Sequence, residues 1–417
     1  MTIVEAHLPF AGDTAPQAVA RADSRGKSVV VVASLTWSLV CFRLDLLKAM
    51  VAAGHKVVAF APDHDPGAIA TLREIGVGFV QIPMARTGTN PLTDLRTVLA
   101  LYRELRRISP DTVLSYTMKP IVYGSLAARL AGVPERFALF TGFGFLFGGR
   151  TGGWRVTAIR RLSIALHRLA LVGVKAAFAY NDADAQDIRR HTMVGDGTPL
   201  VMLDGSGVDL DRFTAQPPPA GPPTFLLVAR LLRDKGVCEF AAAARVLKRT
   251  FPHARFQLLG PFDPSPLVIA KSELDGWVEE GIVEYLGETR DVRPYLTAST
   301  VFVLPSYYRE GIPRSALEAL AAGRAIITAD TPGCRETVRE GENGFLVPAR
   351  DAEALAVRME AFLRDETLAA RMGARSRRLA EERFDVHKVN AGLMQALGLN
   401  RQLDDATIPP RTDRHTA

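Results

Sequence analysis

From Ser28 onward the chain alternates short apolar runs with longer stretches whose apolar residues recur every three to four positions. The run Ser28–Leu35 (SVVVVASL) is nearly continuous and rich in β-branched residues, the pattern of a strand buried in a parallel sheet. A helical pattern follows from Phe42 and closes at Gly54, and His55–Pro62 reads as a second strand. Thr93–Pro110 predicts an amphipathic helix ended by proline, Asp111–Tyr116 a strand, and Ile121–Pro134 a helix stopped by Gly132 and Pro134. Phe137–Phe140 and Ala176–Tyr180 are further strands.

A break comes at Thr214–Thr224, where five prolines fall between Pro217 and Pro223. Proline lacks a backbone donor and stiffens the chain, so this segment reads as a linker. The alternation then restarts with strands at Thr224–Arg230, Ala254–Gly260, Ile282–Gly287, Ser299–Ser306 and Arg324–Asp330. Helices are predicted at Gly236–Thr250, at Pro313–Gly323, and from about Asp351 to Gly398. Two such series predict an α/β protein of two doubly wound domains facing across a cleft. The expected units are residues 27–213 and 225–385, with a helix at about 386–400 packing back on the first. Residues 1–26 are expected to be a disordered extension and 401–417 a flexible tail.

Composition narrows this picture. At 417 residues, 47% hydrophobic and 23% charged, the chain suits two globular domains rather than a disordered polymer. Its net charge of +6 fits an anionic small molecule or an acidic membrane surface. Nucleic acid fits poorly, because no long Lys/Arg run or aromatic-interleaved basic stripe occurs. Cys41, Cys238 and Cys334 form no CxxC pair, as expected of thiols in a reducing cytoplasm. The first 26 residues lack the apolar centre of a signal peptide, and no apolar run reaches the ~18 residues of a membrane span.

Candidate chemistry gathers where strands end, since ligands of open parallel sheets collect at the carboxyl edges. In Val301–Gly323 (VFVLPSYYREGIPRSALEALAAG) a strand leads through a loop into a helix. Pro313 suits its first turn. Glu310 lies in the loop and Glu318 in the second helical turn, while backbone amides around Gly311, Ile312 and Arg314 make a positive helix start that attracts phosphate. A carboxylate beside that site can bond sugar hydroxyls and one deeper can grip a ribose diol, but by spacing alone a solvated loop carboxylate and a helix-face glutamate are the commoner case. In VARLLRDKG, Arg230 ends a strand and Lys235 follows five positions later, two cations able to converge on a diphosphate or simply to be solvated.

These segments together resemble the retaining glycosyltransferases of sequence family 4, which have two Rossmann-like domains in the GT-B arrangement. LPSYYREGIPRSALE matches the family's pair of glutamates separated by seven residues, and DGSGVDLDRF, VARLLRDKG, YLGETRDVRPYL and ITADTPGCRETVREGENGFLVP match as well, the last ending in a turn. The resemblance implies that Arg230 and Lys235 hold a donor diphosphate, that Glu310 contacts the donor sugar, and that Glu318 contacts the ribose. Arg230, Lys235 and Glu310 are thus the catalytic candidates. It implies a nucleobase passing the loop Tyr285, Leu286 and Gly287, retention of configuration, and no metal or other cofactor. The first half, with ASLTWSLVCFR, FRLDLLKAM, SYTMKPIVYGSLAARLAGVP and TGFGFLF, is similar to a subgroup that includes polyprenyl-diphospho-bacillosamine N-acetylgalactosaminyltransferases. The implied partners are a nucleotide sugar, with uridine favoured as base, and a polyprenyl-diphosphate-linked acceptor. Thr36, Phe42, Arg43, Lys119, Gly142 and Phe143 are acceptor-side candidates; Met118 stands where some relatives have histidine. A sugar-nucleotide epimerase of the same fold and a non-catalytic binding protein are the rival readings.

Four further patterns bear on the reading. TGFGFLFG misses the spacing of a dinucleotide fingerprint and instead suits an acceptor-side loop carrying Phe143, Phe145 and Phe147. Asp182 and Asp184 spell a DxD, which here predicts a helix cap rather than a metal site. The eight histidines show no zinc-binding spacing. Thr157–Val174 places Ile159, Leu162, Leu166 and Leu169 on one face flanked by Arg160, Arg161 and Arg168, which is either a core-facing stripe or a surface resting on anionic lipid.

Overall fold

The protein is described by a computed structural model over residues 26–85, 90–144, 153–263, 265 and 267–400. Residues 1–25 of the predicted extension, the tail 401–417, and Phe145, Phe147 and Gly148 of the glycine loop lie outside them.

The first domain runs β1 (Ser28–Val32), α1 (Thr36–Ala52), β2 (Lys56–Ala61), α2 (Pro66–Glu74), β3 (Gly78–Gln81), α3 (Pro91–Ile108), β4 (Thr112–Tyr116), α4 (Met118–Leu130), β5 (Glu135–Leu139), α5 (Trp154–Ala170), β6 (Ala176–Ala179), α6 (Asp182–Arg190) and β7 (Leu200–Met202). Its sheet is parallel, in the order β3-β2-β1-β4-β5-β6-β7. The second runs β8 (Thr224–Val228), a 3-10 turn at Arg233–Lys235, α7 (Val237–Thr250), β9 (Arg255–Leu259), α8 (Lys271–Glu279), β10 (Glu284–Tyr285), α9 (Arg293–Thr297), β11 (Val301–Leu304), α10 (Arg314–Ala321), β12 (Ala325–Ala329), β13 (Gly344–Val347), α11 (Ala352–Arg364) and α12 (Leu368–Leu379). It too is parallel, in the order β10-β9-β8-β11-β12-β13. The strand order reverses beside β1 and beside β8, so each sheet has a switch point whose carboxyl edge opens on the cleft.

Both faces of the first sheet are covered, and β1 shows how. Val29 and Val31 pack with Leu39 and Leu46 of α1, whereas Val30 and Val32 pack with Leu101 of α3 and Ala127 of α4. The chain crosses between the domains twice. After α12 a π turn (Ala380–Phe384) leads into α13 (Val386–Ala396), which packs on α1, and His55 Nε2 bonds the Leu399 carbonyl at 2.8 Å. The two crossings touch: Val208 N donates to Phe384 O at 2.7 Å, and Val386 N donates to Val208 O at 3.0 Å.

The structure departs from the pattern in particular places. α1 begins at Thr36, six positions before Phe42, because its first turn is capped from a distance: Thr36 N donates to Asp63 Oδ1 at 2.7 Å. Pro313 is the N-cap of α10, one residue ahead of the predicted first turn. Gly344–Val347, read as part of a turn, is a strand paired with β12. Asn181, not the DxD pair, caps α6 by accepting from Asp184 N at 2.9 Å. α5 is rotated from the core-facing reading: Ile159, Leu162 and Leu169 are exposed, and Ile164, His167, Ala170 and Leu171 are buried.

His167 is a consequence of that rotation. It lies against Phe140 with Nδ1 donating to Ser163 O at 2.7 Å, and burial lowers its pKa to about 4. In the unfolded chain it titrates near 6.5, so between 6.5 and 4 the unfolded state takes up a proton that the folded state refuses. Stability therefore falls as pH drops through this window. His167→Phe is expected to remove about 2–3 kcal/mol of the stability difference between roughly pH 7 and 4.5, read by chemical denaturation of both proteins at each pH.

Candidate functional site

The site is built on the carboxyl edge of the second sheet. Past β8 the chain passes Arg230 and turns through Arg233–Lys235 to Gly236, whose φ is +78°. A Cβ there would stand 2.3 Å from Pro305 O, so glycine lets the turn rest directly on the end of β11. The Asp234 carbonyl then accepts from Tyr307 N and Tyr308 N, both at 2.9 Å, fastening the loop that carries Glu310. This brings the Lys235 ammonium onto the Glu310 carboxylate and over the Tyr308 ring, 4.7 Å from its centroid. Ser306 Oγ donates to the same carboxylate oxygen at 3.1 Å. Arg230 lies alongside, its Nη1 2.7 Å from Asp263 Oδ2. Glu318, one helical turn into α10, accepts from Arg314 Nε at 3.0 Å, and burial pushes its pKa up.

Arg230, Lys235, Glu310 and Glu318 line one cavity of about 280 Å³, with Pro313, Arg314 and Ser315 of the α10 start and with Cys41 and Phe42 of the first domain. A second cavity of about 340 Å³ lies across the cleft, lined by Ser34, Thr117, Lys119, Thr141, Gly142 and Phe143 and closed by Tyr308, Arg309, Glu310 and Gly311. Glu310 belongs to both linings, so its carboxylate stands in the partition between them. Lys119 Nζ donates to Ala85 O at 2.9 Å and lies 3.7 Å from Asp94.

The domains meet at this partition. Gly142 and Gly311 stand backbone to backbone: a Cβ on Gly142 would be 2.5 Å from Gly311 N, and one on Gly311 would be 2.5 Å from Thr141 O. Asn181 Nδ2 donates to the carbonyls of Glu310 and Gly311 at 3.2 and 3.1 Å. Arg309 reaches Asp184 at 2.8 Å and Asp187 at 2.9 Å. Burial raises Asp184 to about 6 despite the pull of Arg309, so its contribution to this latch is lost as pH falls through that value. At another point on the interface Arg290 stacks over Trp37 and lies 3.6 Å from Asp65.

Other predicted residues lie elsewhere. Thr36 is buried under Asp63, and Arg43 is buried between Tyr116 and Tyr180 with its guanidinium on the Tyr180 hydroxyl; neither lines either of these two cavities. Phe42 faces the cavity with Arg230 rather than the one with Lys119. Tyr285, Leu286, Gly287 and Ile312 are outside both linings, but Tyr285 OH donates to Gly260 O at 3.0 Å and Gly287 O accepts from Gly260 N at 2.8 Å, which sets Gly260 in the cavity wall.

Residues 42–203 match the glycosyl transferase 4-like domain, and residues 222–365 match the domain described as glycosyl transferases group 1. Together the two spans take in well over half of the chain. The protein belongs to the group 1 glycosyltransferases. It is 28% identical, over 79% of its length and 88% of the relative's, to the N,N'-diacetylbacillosaminyl-diphospho-undecaprenol alpha-1,3-N-acetylgalactosaminyltransferase of Campylobacter jejuni. It is 25% identical, over 66% of its length and 71% of the relative's, to the UDP-Gal:alpha-D-GlcNAc-diphosphoundecaprenol alpha-1,3-galactosyltransferase of Escherichia coli. The sucrose-phosphate synthase of Thermosynechococcus elongatus superposes with a TM-score of 0.72 at 20% identity, covering 88% of this chain and 98% of that one, which establishes the GT-B fold.

Within that family frame, Asp263, Ser306, Arg309, Arg314 and Asn181 are the site residues that sequence reasoning missed. Arg314 had a signal, since it stands four positions before Glu318 on one helix face. Asp263, Arg309 and Asn181 act on residues 33 or more positions away and leave no local trace.

Proposed function

We propose that this glycosyltransferase moves a hexosyl or N-acetylhexosaminyl group from a UDP-linked sugar to a saccharide carried on a polyprenyl diphosphate, with retention of configuration. The observation that carries the reading is one wall shared by two cavities: cations and carboxylates line the first, Lys119 and glycine-rich backbone line the second, and Glu310 stands between them. The names of the two relatives supply the substrate classes, a UDP-sugar and diphosphoundecaprenol-linked saccharides.

In this reading the donor diphosphate lies against Arg230, Lys235 and the start of α10, and Glu318 takes the ribose diol. Charge that grows on the leaving nucleoside diphosphate is met by the two side-chain cations, with no metal needed. Glu310 leaves Lys235 as phosphate arrives and turns its carboxylate to the hydroxyls of the transferred sugar. The acceptor hydroxyl enters from the Lys119 side, and the departing phosphate takes its proton on the same face. Closure of the Arg309 latch excludes water from this path. The working place is the cytoplasmic side of the membrane that holds the acceptor.

The test is a matrix of UDP-sugars against a diphosphoprenyl-linked monosaccharide, scored for a lengthened lipid-linked product. Transfer with the α-anomer retained supports the reading; conversion of the donor with no acceptor present marks an epimerase and overturns it.

The site's charges are self-paired: Arg230 rests on Asp263 and Lys235 on Glu310. Incoming diphosphate has to displace Asp263, and a partly exposed pair of this kind contributes up to about 1 kcal/mol. Asp263→Asn is therefore expected to tighten UDP binding by about two- to fivefold in a titration; weaker binding instead assigns Asp263 to holding Arg230 in place.

A further inference from the structure

The helical layer α3–α4–α5 covers one face of the first sheet, with α4 packed against both neighbours. Its outer side is unusual in two respects. α3 exposes Leu92, Leu95 and Leu99 (74, 55 and 43% exposed), spaced as one helical stripe, and α5 exposes Ile159, Leu162 and Leu169 (37, 53 and 53%). The same layer is strongly basic. α3 carries four arginines, α4 one lysine and one arginine, and α5 four arginines, against only Asp94 and Glu104. That excess is larger than the +6 of the whole chain.

The layer also has a direction. Each of these helices follows a parallel strand, so it starts at the carboxyl edge of the sheet, where the cleft opens. Leu92 and Leu95 sit in the first turns of α3, and Lys119, at the start of α4, bonds Ala85 O beside Asp94 while lining the cavity that Glu310 closes. The apolar stripe of α3 therefore begins at the mouth of that cavity.

We infer that the outer side of α3 and α5 is a membrane-docking surface for a bilayer containing anionic lipid, which sets the Lys119 cavity at the headgroup plane. Monomeric soluble proteins seldom leave so much aliphatic surface on one layer. Protein partners are the weaker match, because the core of a protein interface is depleted in charge, whereas here arginines such as Arg96, Arg103, Arg161 and Arg168 alternate with the aliphatics. Leucine and isoleucine ringed by cations and nearly free of acids is the chemistry of an interfacial helix on phosphatidylglycerol-like headgroups. The inference rests on the lipid-linked acceptor proposed above and deepens it: a prenyl anchor stays in the bilayer, so the cavity has to come down to the diphosphate.

The experiment floats the full chain with vesicles of phosphatidylcholine alone and with about 30 mol% phosphatidylglycerol. It compares wild type with the double variant Leu95→Glu, Leu162→Glu. Both positions are more than half exposed, so the melting temperature is expected to stay put. The wild type is expected to float with the anionic vesicles and the variant about tenfold less, with salt of about 0.5 M weakening the wild type. Transfer to a water-soluble short-chain acceptor is expected to be equal for both proteins, and transfer to an acceptor embedded in vesicles to drop in the variant. No wild-type flotation, or equal flotation of the two, overturns the inference. A dimer in sedimentation that the variant dissolves also overturns it and assigns the surface to a second copy. Failure of the wild type on the short-chain acceptor sinks the proposed function instead, so the two readings fail separately.

Discussion

Lys235→Ala is expected to lower transfer by about 10²–10³-fold, comparable to removing one preorganised charge-stabilising donor from a transition state. Lys235 is only 9% exposed and sits between the Glu310 carboxylate, the Tyr308 ring and the cavity. Its charge counts most when negative charge on the leaving group is greatest, so kcat is expected to fall more than donor affinity. The substitution also strands Glu310, whose side chain is 12% exposed, beside the empty position. A second variant, Lys235→Ala with Glu310→Gln, separates the two effects. Because Glu310 is itself placed on the donor sugar, the reference is Glu310→Gln alone: if the stranded carboxylate is the cause, the double variant matches that reference; if the missing cation is the cause, it falls about 10²–10³-fold below it. Single-turnover rates together with UDP titration read the difference, and near-normal turnover in Lys235→Ala removes this residue from the chemistry.

Gly311→Ala is expected to cost about 100-fold or more in kcat while leaving UDP binding close to normal. The added methyl would lie 2.5 Å from Thr141 O and 2.8 Å from Tyr180 Cδ2, and both belong to the first domain. Backbone on one side and a buried ring on the other leave little room to yield, so the two loops separate. A separation of about an ångström suffices to misplace donor against acceptor. The cations, Glu318 and the start of α10 all lie on the second domain, which is why nucleotide affinity is spared. Equal losses of UDP binding and turnover would mean that the methyl has disturbed the second domain itself.

Much of this architecture was legible because parallel strands buried on both faces have an unambiguous signature. Val29–Val32, Phe225–Val228 and Val301–Leu304 are runs without a polar interruption, and each is a central strand. Arg230, Lys235, Glu310 and Glu318 were legible because strand ends and helix starts place them along the chain, and the fold gathers them in one cavity. The rest was set by tertiary partners. The true start of α1 depends on Asp63, which is 27 residues from Thr36. Periodicity found the apolar stripe of α5 but could not tell which side faces inward, and packing chose the side with Ile164 and His167. Thr36 and Arg43 were acceptor candidates through the resemblance of the first half of the chain, yet Asp63 and Tyr180 claim them for the domain interior. The DxD read as a cap because its spacing is local, whereas the use of Asp184 is decided by Arg309, 125 positions later.

The return of the chain through Phe384 to α13 has a consequence for synthesis. Leu39 and Leu46 of α1 share a core with Leu393, Met394 and Leu397, so one side of the first domain is finished by α13. On the ribosome, the half that emerges first must wait with that side bare until α13 has emerged. The second domain, whose strands are contiguous from Thr224 to Val347, has everything its sheet needs well before then. The N-terminal half is thus the last to close, and nascent-chain proteolysis should find α1 still vulnerable after β8–β13 have become resistant.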